Sequence, residues 1–218
     1  MPELTLFFSP RACSLACHIA LEESGLPFTA KAVRIRKGEH RLDEYLAQNP
    51  WGKIPAMRID DEVLTETHAI LTYIGEMAPE RNLIPSDNSL QRARAHEWMN
   101  FLSSTVHIAF RPLFRPHFLI ADPELYPQLH EVGIPNLRKT LLEVDHRLEG
   151  KTWALGDTYS VCDPYLFVFH MWSQREDVIE HVAEMPNWMA HRHRMNERAT
   201  TQAALAREGI TPENIRLK

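Results

Sequence analysis

The sequence predicts an α/β unit followed by an all-helical unit, and three observations carry that expectation. Strand and helix signals mix over roughly the first 80 residues, in the order β-α-β-α-β-β-α. The stretch Ala78 to Asn88 then holds two prolines and several polar residues without a clear period, which marks a linker. From Leu90 onward the strand signals vanish. The predicted domains are residues 1–80 and 89–218 of the 218.

Each element has a local reason. Leu4–Phe8 is a short apolar run suited to a buried strand. Ser14 to Ser24 reads as a helix with Leu15, Ile19 and Ala20 on its apolar side, closed by Gly25. Phe28–Ile35 is strand-like, and Leu42–Ala47 is a short helix stopped by Asn49-Pro50-Trp51-Gly52. Ile54–Ile59 and Glu62–Leu64 alternate as a hairpin around Asp60-Asp61, and Thr65–Met77 is helical. Further helices are expected over Ser89–Phe114, Tyr126–Glu149, Val161–Glu176, Trp188–Glu197 and Thr201–Glu208. Pro112, Pro116 and Pro123 break the chain between the first two of these. Ser160-Val161-Cys162-Asp163 has the form of a capping box and reads as a folding signal.

Composition narrows the function classes. The net charge of −5 gives no footprint for nucleic acid or an anionic membrane surface. No apolar run reaches the ~20 residues that span a bilayer. The N-terminus lacks the pattern of a signal peptide. The cysteines, Cys13, Cys17 and Cys162, are odd in number and form no disulfide framework, so a cytoplasmic setting is expected. No zinc-type histidine spacing occurs, and no metal is expected.

The chemistry-bearing residues begin with Cys13. It stands where the first strand turns through Pro10 into a helix, so unpaired N–H groups and the helix dipole favour an anion there. A thiol so placed can have its pKa lowered and act as a thiolate. Residue 16 is alanine, so Cys13 lacks a partner at C-x-x-C spacing and suits a mixed disulfide with a small thiol. The residues alone equally allow a small buried packing residue. In Asn49 to Ala56, a cis Ile54-Pro55 bond would turn the Ile54 backbone outward to pair with an extended peptide, whereas a trans proline would simply start a strand. Thr65 and Glu66 open a helix, either as plain capping or as a seat for a ligand's α-amino and carboxylate groups. Asn100 and His107 are seven residues apart and are expected on one helix face. Phe110, Arg111, Phe114 and Arg115 follow at helical spacing, as packing or as an apolar pocket with a cationic edge.

In this order and spacing, the motifs resemble the bacterial, cysteine-type (beta class) glutathione S-transferases. The carriers are Ser9 to Leu15, Asn49 to Ala56, Leu64 to Ile70, Glu97 to Asn100, His107 to Pro116 and Gly156 to Asp163, and the resemblance covers essentially the whole chain. It implies a thioredoxin-like N-terminal domain, a helical C-terminal domain, a homodimer, and glutathione as co-substrate. Pro55 then matches the family's cis proline, with Ile54 pairing to the cysteinyl backbone. Glu66 and Thr67 hold the γ-glutamyl end, and Lys37, or Arg36, reaches the glycyl carboxylate, with Lys53 in the same binding set. Cys13, Ser14 and His107 are the implied catalytic residues, and Asn100 approaches the same sulfur. A hydrophobic electrophile would lie near Phe8, Phe110, Arg111, Phe114, Arg115 and Trp172.

One departure stands out: Phe8 replaces the family's usual first-strand tyrosine. The missing hydroxyl removes a charge-assisted hydrogen bond of roughly 1.5–3 kcal/mol from thiolate stabilisation. The expected activity is conjugation of the glutathione thiolate to electrophiles, with thiol–disulfide exchange through Cys13 as a competing reaction. The alternative is a non-catalytic glutathione-binding or regulatory protein.

Overall fold

The computed structural model describes residues 1–182 and 184–211. The tail of the expected helical domain, residues 212–218, lies outside the described residues. Strand β1 (Leu4–Phe8) is buried at every position, Thr5 included, as suits a central strand that is apolar at its other four positions. It pairs in parallel with β2 (Thr29–Ala32) and antiparallel with β3 (Ala56–Ile59), which pairs antiparallel with β4 (Glu62–Thr65). The sheet order is β2-β1-β3-β4. Helices α1 (Ser14–Ser24), α2 (Asp43–Leu46) and α3 (Thr67–Met77) complete a thioredoxin-like unit.

The second strand is shorter than the sequence suggests, because the chain leaves the sheet after Ala32 for a 3₁₀ turn at Ile35–Lys37. Gly25 closes α1 in the left-handed region at φ 70°. Helix α1 is buried almost all round and not on one side only, because it lies against α3 and also against two helices of the second unit.

The second unit contains α4 (Ser89–Phe101), α5 (His107–Phe114), α6 (Tyr126–Arg147), α7 (Cys162–Trp172), α8 (Pro186–Glu197) and α9 (Ala199–Arg207). Asn88 caps α4 by accepting from the N–H groups of Leu90 and Gln91. The single helix expected over Ser89–Phe114 is interrupted by a five-residue π turn, Leu102–Val106. That turn has a consequence at the site below.

Helix α7 is the centre of this unit, with every residue from Cys162 to Trp172 buried. Its start is a reciprocal capping box. Asp163 accepts from the Ser160 N–H at 2.8 Å and from its hydroxyl at 3.2 Å, while Ser160 Oγ accepts from the Cys162 N–H. The other Asp163 oxygen takes the Ala154 N–H at 2.8 Å and His191 Nε2 at 2.9 Å. A fully buried carboxylate is tolerable only with such a set of donors. Among the described residues, no helix is long and apolar enough to cross a membrane.

Candidate active site

The strand registers bring the sequence motifs together. Phe7 pairs with Ala56, and Ala56 with Thr65. Continuing both antiparallel registers by one residue sets Pro55 beside Phe8 on one side and Glu66 on the other. The end of β1, the start of β3 and the end of β4 therefore meet at one edge, and Cys13, Ile54 and Glu66 all sit in the connections there.

Those connections are strained where function requires it. Arg11 and Glu66 have φ of 65° and 71°, and unlike the other positive-φ non-glycine residues, Asp60 and Asn82, they are not turn-favouring types. The Arg11 turn is clamped from the helical unit. Its carbonyl accepts from Trp172 Nε1 at 2.8 Å, and its N–H donates to Glu208 at 3.3 Å. Glu208 also meets His18 Nδ1 at 3.1 Å, both side chains being fully buried.

The Ile54-Pro55 bond is cis. Asn49 brackets the loop before it, accepting from the Trp51 N–H at 3.1 Å and donating to the Lys53 carbonyl at 2.9 Å. The Tyr45 hydroxyl donates to the same carbonyl. Gly52, at φ 62°, is needed because a Cβ there would lie 3.1 Å from the His40 carbonyl oxygen. With Lys53 held, the N–H and C=O of Ile54 are hydrogen-bonded to no other described residue. They are a free edge for strand addition.

Cys13 Sγ lies 3.5 Å from His107 Nδ1, across the boundary between the two units. The expected thiolate is not what the free protein holds. Burial pushes the Cys13 thiol up to about 12, opposed by a backbone hydrogen bond, with the Glu66 carboxylate adding a further rise. Desolvation outweighs the helix start here. His107 is pulled down to about 4, first by burial and then by Arg111. At neutral pH the pair is a neutral thiol beside a neutral imidazole. The His107 ring stands edge-on to Trp172 at 4.9 Å.

Several expectations are corrected by the packing. Ser14 does not offer its hydroxyl to the thiol: it is fully buried, accepts from the Ser9 N–H at 3.1 Å and donates to the Ser9 carbonyl at 3.2 Å. Phe8 is a core residue against His18, with ring centroids 5.2 Å apart, and not a pocket wall. Phe110 is likewise fully buried, behind Phe114 and Trp172. Asn100 does not share a face with His107, because the π turn between them adds a residue to the helical repeat. It is exposed, and its Oδ1 meets His68 Nδ1 at 3.2 Å. Thr65 ends β4 instead of capping α3, and Glu66 takes the cap position without a side-chain cap bond.

The remaining candidates are either buried or open to solvent. Thr67 is buried beside Tyr165. Lys37 lies exposed in its 3₁₀ turn. Lys53 Nζ sits 5.7 Å over the Phe118 ring. Arg111 and Arg115 are exposed on α5 and at its end, and Phe114 tilts against Trp172 at 5.2 Å. Sequence reasoning missed His18, Glu208 and Tyr165, for which no local pattern exists.

Comparison with known proteins places the chain in a family. Residues 10–77 match the family model described as glutathione S-transferase, N-terminal domain. Glutathione S-transferase GstA of Escherichia coli O157:H7 is 37% identical over 213 residues, covering 95% of this chain and 100% of that protein. A solved Sulfitobacter glutathione transferase homologue with bound glutathione is 30% identical with a TM-score of 0.86, covering 97% of this chain and 100% of that one. The bacterial beta class glutathione S-transferase of Sphingomonas chungbukensis is 37% identical with a TM-score of 0.83, covering 95% and 100%. The chain belongs to the glutathione S-transferase family.

Proposed function

We propose that this chain is a glutathione S-transferase of the cysteine-type, beta class, which adds the thiolate of its co-substrate glutathione to electrophilic small molecules at the Cys13–His107 pair. The carrying observation is the free Ile54 backbone edge, one sheet register from both the Cys13 turn and Glu66. In this reading the cysteinyl backbone of glutathione pairs with Ile54 as an added strand. The γ-glutamyl end lies on Glu66 and the first N–H groups of α3, beside Thr67. Lys37 and Lys53 attract the glycyl carboxylate. Asn100 acts through His68, at the edge of the γ-glutamyl seat.

The neutral thiol defines the chemistry. Cys13 keeps its proton and donates S–H to the bound glutathione sulfur, with His107 as the neighbouring polar group. Glutathione releases its proton to solvent, its sulfur forms the new bond to the electrophilic carbon, and the leaving group departs with its electron pair. Catalysis comes from proximity and from stabilising that thiolate. Ser14 is a positioning residue, holding the turn through Ser9. Attack by Cys13 itself would first require ionising a thiol held near 12, which favours conjugation over thiol–disulfide exchange.

A homodimer and a cytoplasmic setting belong to the same proposal. Trp51, 76% exposed on the loop before Ile54, supports the first as an apolar anchor for a second copy. The unpaired state of all three cysteines supports the second. Steady-state conjugation of glutathione to a chloronitroaromatic tests the function. Turnover that falls in Cys13→Ala without being abolished, and that collapses when glutathione is replaced by cysteine, is expected. Glutathione binding without turnover of any electrophile would overturn it in favour of a binding protein.

A further inference from the structure

Helix α5 carries more charge toward the cleft than glutathione uses. His107, Arg111 and Arg115 follow at four-residue steps, so they line one face of the helix and its end. His107 is the group against the Cys13 sulfur. Arg111 is one turn further on, ~6 Å along the axis, and Arg115 ~12 Å.

Both guanidinium groups stand exposed, and among the described residues neither has an ion-pair or hydrogen-bond partner. Several arginines elsewhere are paired: Arg58 with Glu3, Arg94 with Glu97, Arg147 with Glu143 and Arg198 with Glu23. The opposite wall of the cleft is also cationic. The field of Arg115 reaches His40 together with that of Lys53, and Arg36 faces Arg11. This concentration of positive charge occurs in a chain whose net charge is −5.

The proposed glutathione seat accounts for the cations of the first unit. Its α-carboxylate takes the start of α3, and its glycyl carboxylate takes Lys37 or Lys53. Arg111 and Arg115 rise from the other wall, next to the half-buried face of Phe114, which tilts against the buried Trp172. An aromatic ring laid on that face, with its reacting carbon at the sulfur, carries a substituent para to that carbon to about the height of Arg111. A guanidinium reads a carboxylate there with two parallel hydrogen bonds.

We infer that the second substrate is an anionic aromatic electrophile, a ring bearing a carboxylate remote from its leaving group, selected by Arg111 and Arg115. The inference rests on the transferase reading above and adds the substrate class. The glutathione sulfur bonds to the ring carbon, the halide leaves with its electron pair, and the carboxylate stays unchanged on Arg111.

The test compares two probes, chlorodinitrobenzene and its carboxylate analogue chlorodinitrobenzoate, each as kcat/KM divided by its uncatalysed rate with glutathione. The wild-type enzyme is expected to favour the carboxylate probe about tenfold or more. Arg111→Gln with Arg115→Gln should bring that ratio near one, and Arg111→Lys with Arg115→Lys should retain part of it. The preference should also fall as salt rises. An equal or greater preference for the neutral probe overturns the inference. So does a double glutamine variant that raises the KM for glutathione while leaving the probe ratio intact. Turnover of neither probe overturns the transferase reading itself, and the inference with it.

Discussion

Cys13 should be almost inert toward alkylating agents in the free protein, despite standing at a helix start. Burial moves its thiol from 9.0 to about 12. At pH 7 a thiol of pKa 9 is ionised at about one part in a hundred, and Cys13 at about one part in a hundred thousand. The difference is about a thousandfold in thiolate, or on the order of 4 kcal/mol. Since the thiolate is the nucleophile, iodoacetamide should modify Cys13 at least ~1,000 times more slowly in the folded protein than in the urea-unfolded chain. Intact mass followed by peptide mapping reads both the rate and the position. Cys17 and Cys162 are buried and raised as well, so they should not compete. The rate should keep climbing with pH past 9. Folded-state modification of Cys13 within about tenfold of the unfolded rate would refute the reasoning, because it would show an ionised, accessible thiol. The linkage has a definite sign: with the folded pKa raised, the stability from Cys13 is complete below pH 9 and is lost between pH 9 and about 12.

Three further outcomes follow from particular contacts. His107 is depressed to about 4 and His170 well below its ordinary value, both mainly by burial, so their stabilising effect is present above pH 6.5 and drains away as pH falls toward 4. Urea midpoints measured across that range should drop, and His107→Gln should flatten the drop. Asp163→Ala strands the Ala154 and Ser160 N–H groups and His191 in a buried site, so it should cost about 3–5 kcal/mol in urea unfolding; a loss under about 1 kcal/mol contradicts the capping account. Asn49→Ala frees the Lys53 carbonyl and the Trp51 N–H, and should raise the glutathione KM about tenfold with a smaller change in kcat, read from initial rates.

The readable part of this protein is its local chemistry. Gly25 at a helix end, the Asp60-Asp61 hairpin and the Ser160–Asp163 capping box are each set by a few neighbouring residues, and each appears in the structure. The Asn49–Ala56 loop was legible as a motif, though sequence could not choose between cis and trans at Pro55. What failed depended on burial or distance. The helix start at Cys13 favours a lowered pKa, but burial beside α5 and α7, far along the chain, raises it. Counting α-helical turns puts Asn100 beside His107, and the π turn at Leu102–Val106, which no local pattern advertises, breaks the count. Phe8 and Phe110 look like pocket residues by type, yet both are buried, Phe8 against His18 and Phe110 among Phe114, Phe169 and Trp172. The Glu208–His18 pair joins residues 190 positions apart, and nothing near either one announces the other.

The central claim is that the reactive thiolate belongs to bound glutathione while Cys13 keeps its proton. Ultraviolet difference spectroscopy of the thiolate band, titrated with pH, measures this directly. Free enzyme should show no thiolate absorbance at neutral pH. Adding glutathione should produce it, with an apparent pKa below that of glutathione in water, and S-methylglutathione should not. A thiolate band in the free enzyme that vanishes in Cys13→Ala, or the absence of any band on adding glutathione, would contradict the account.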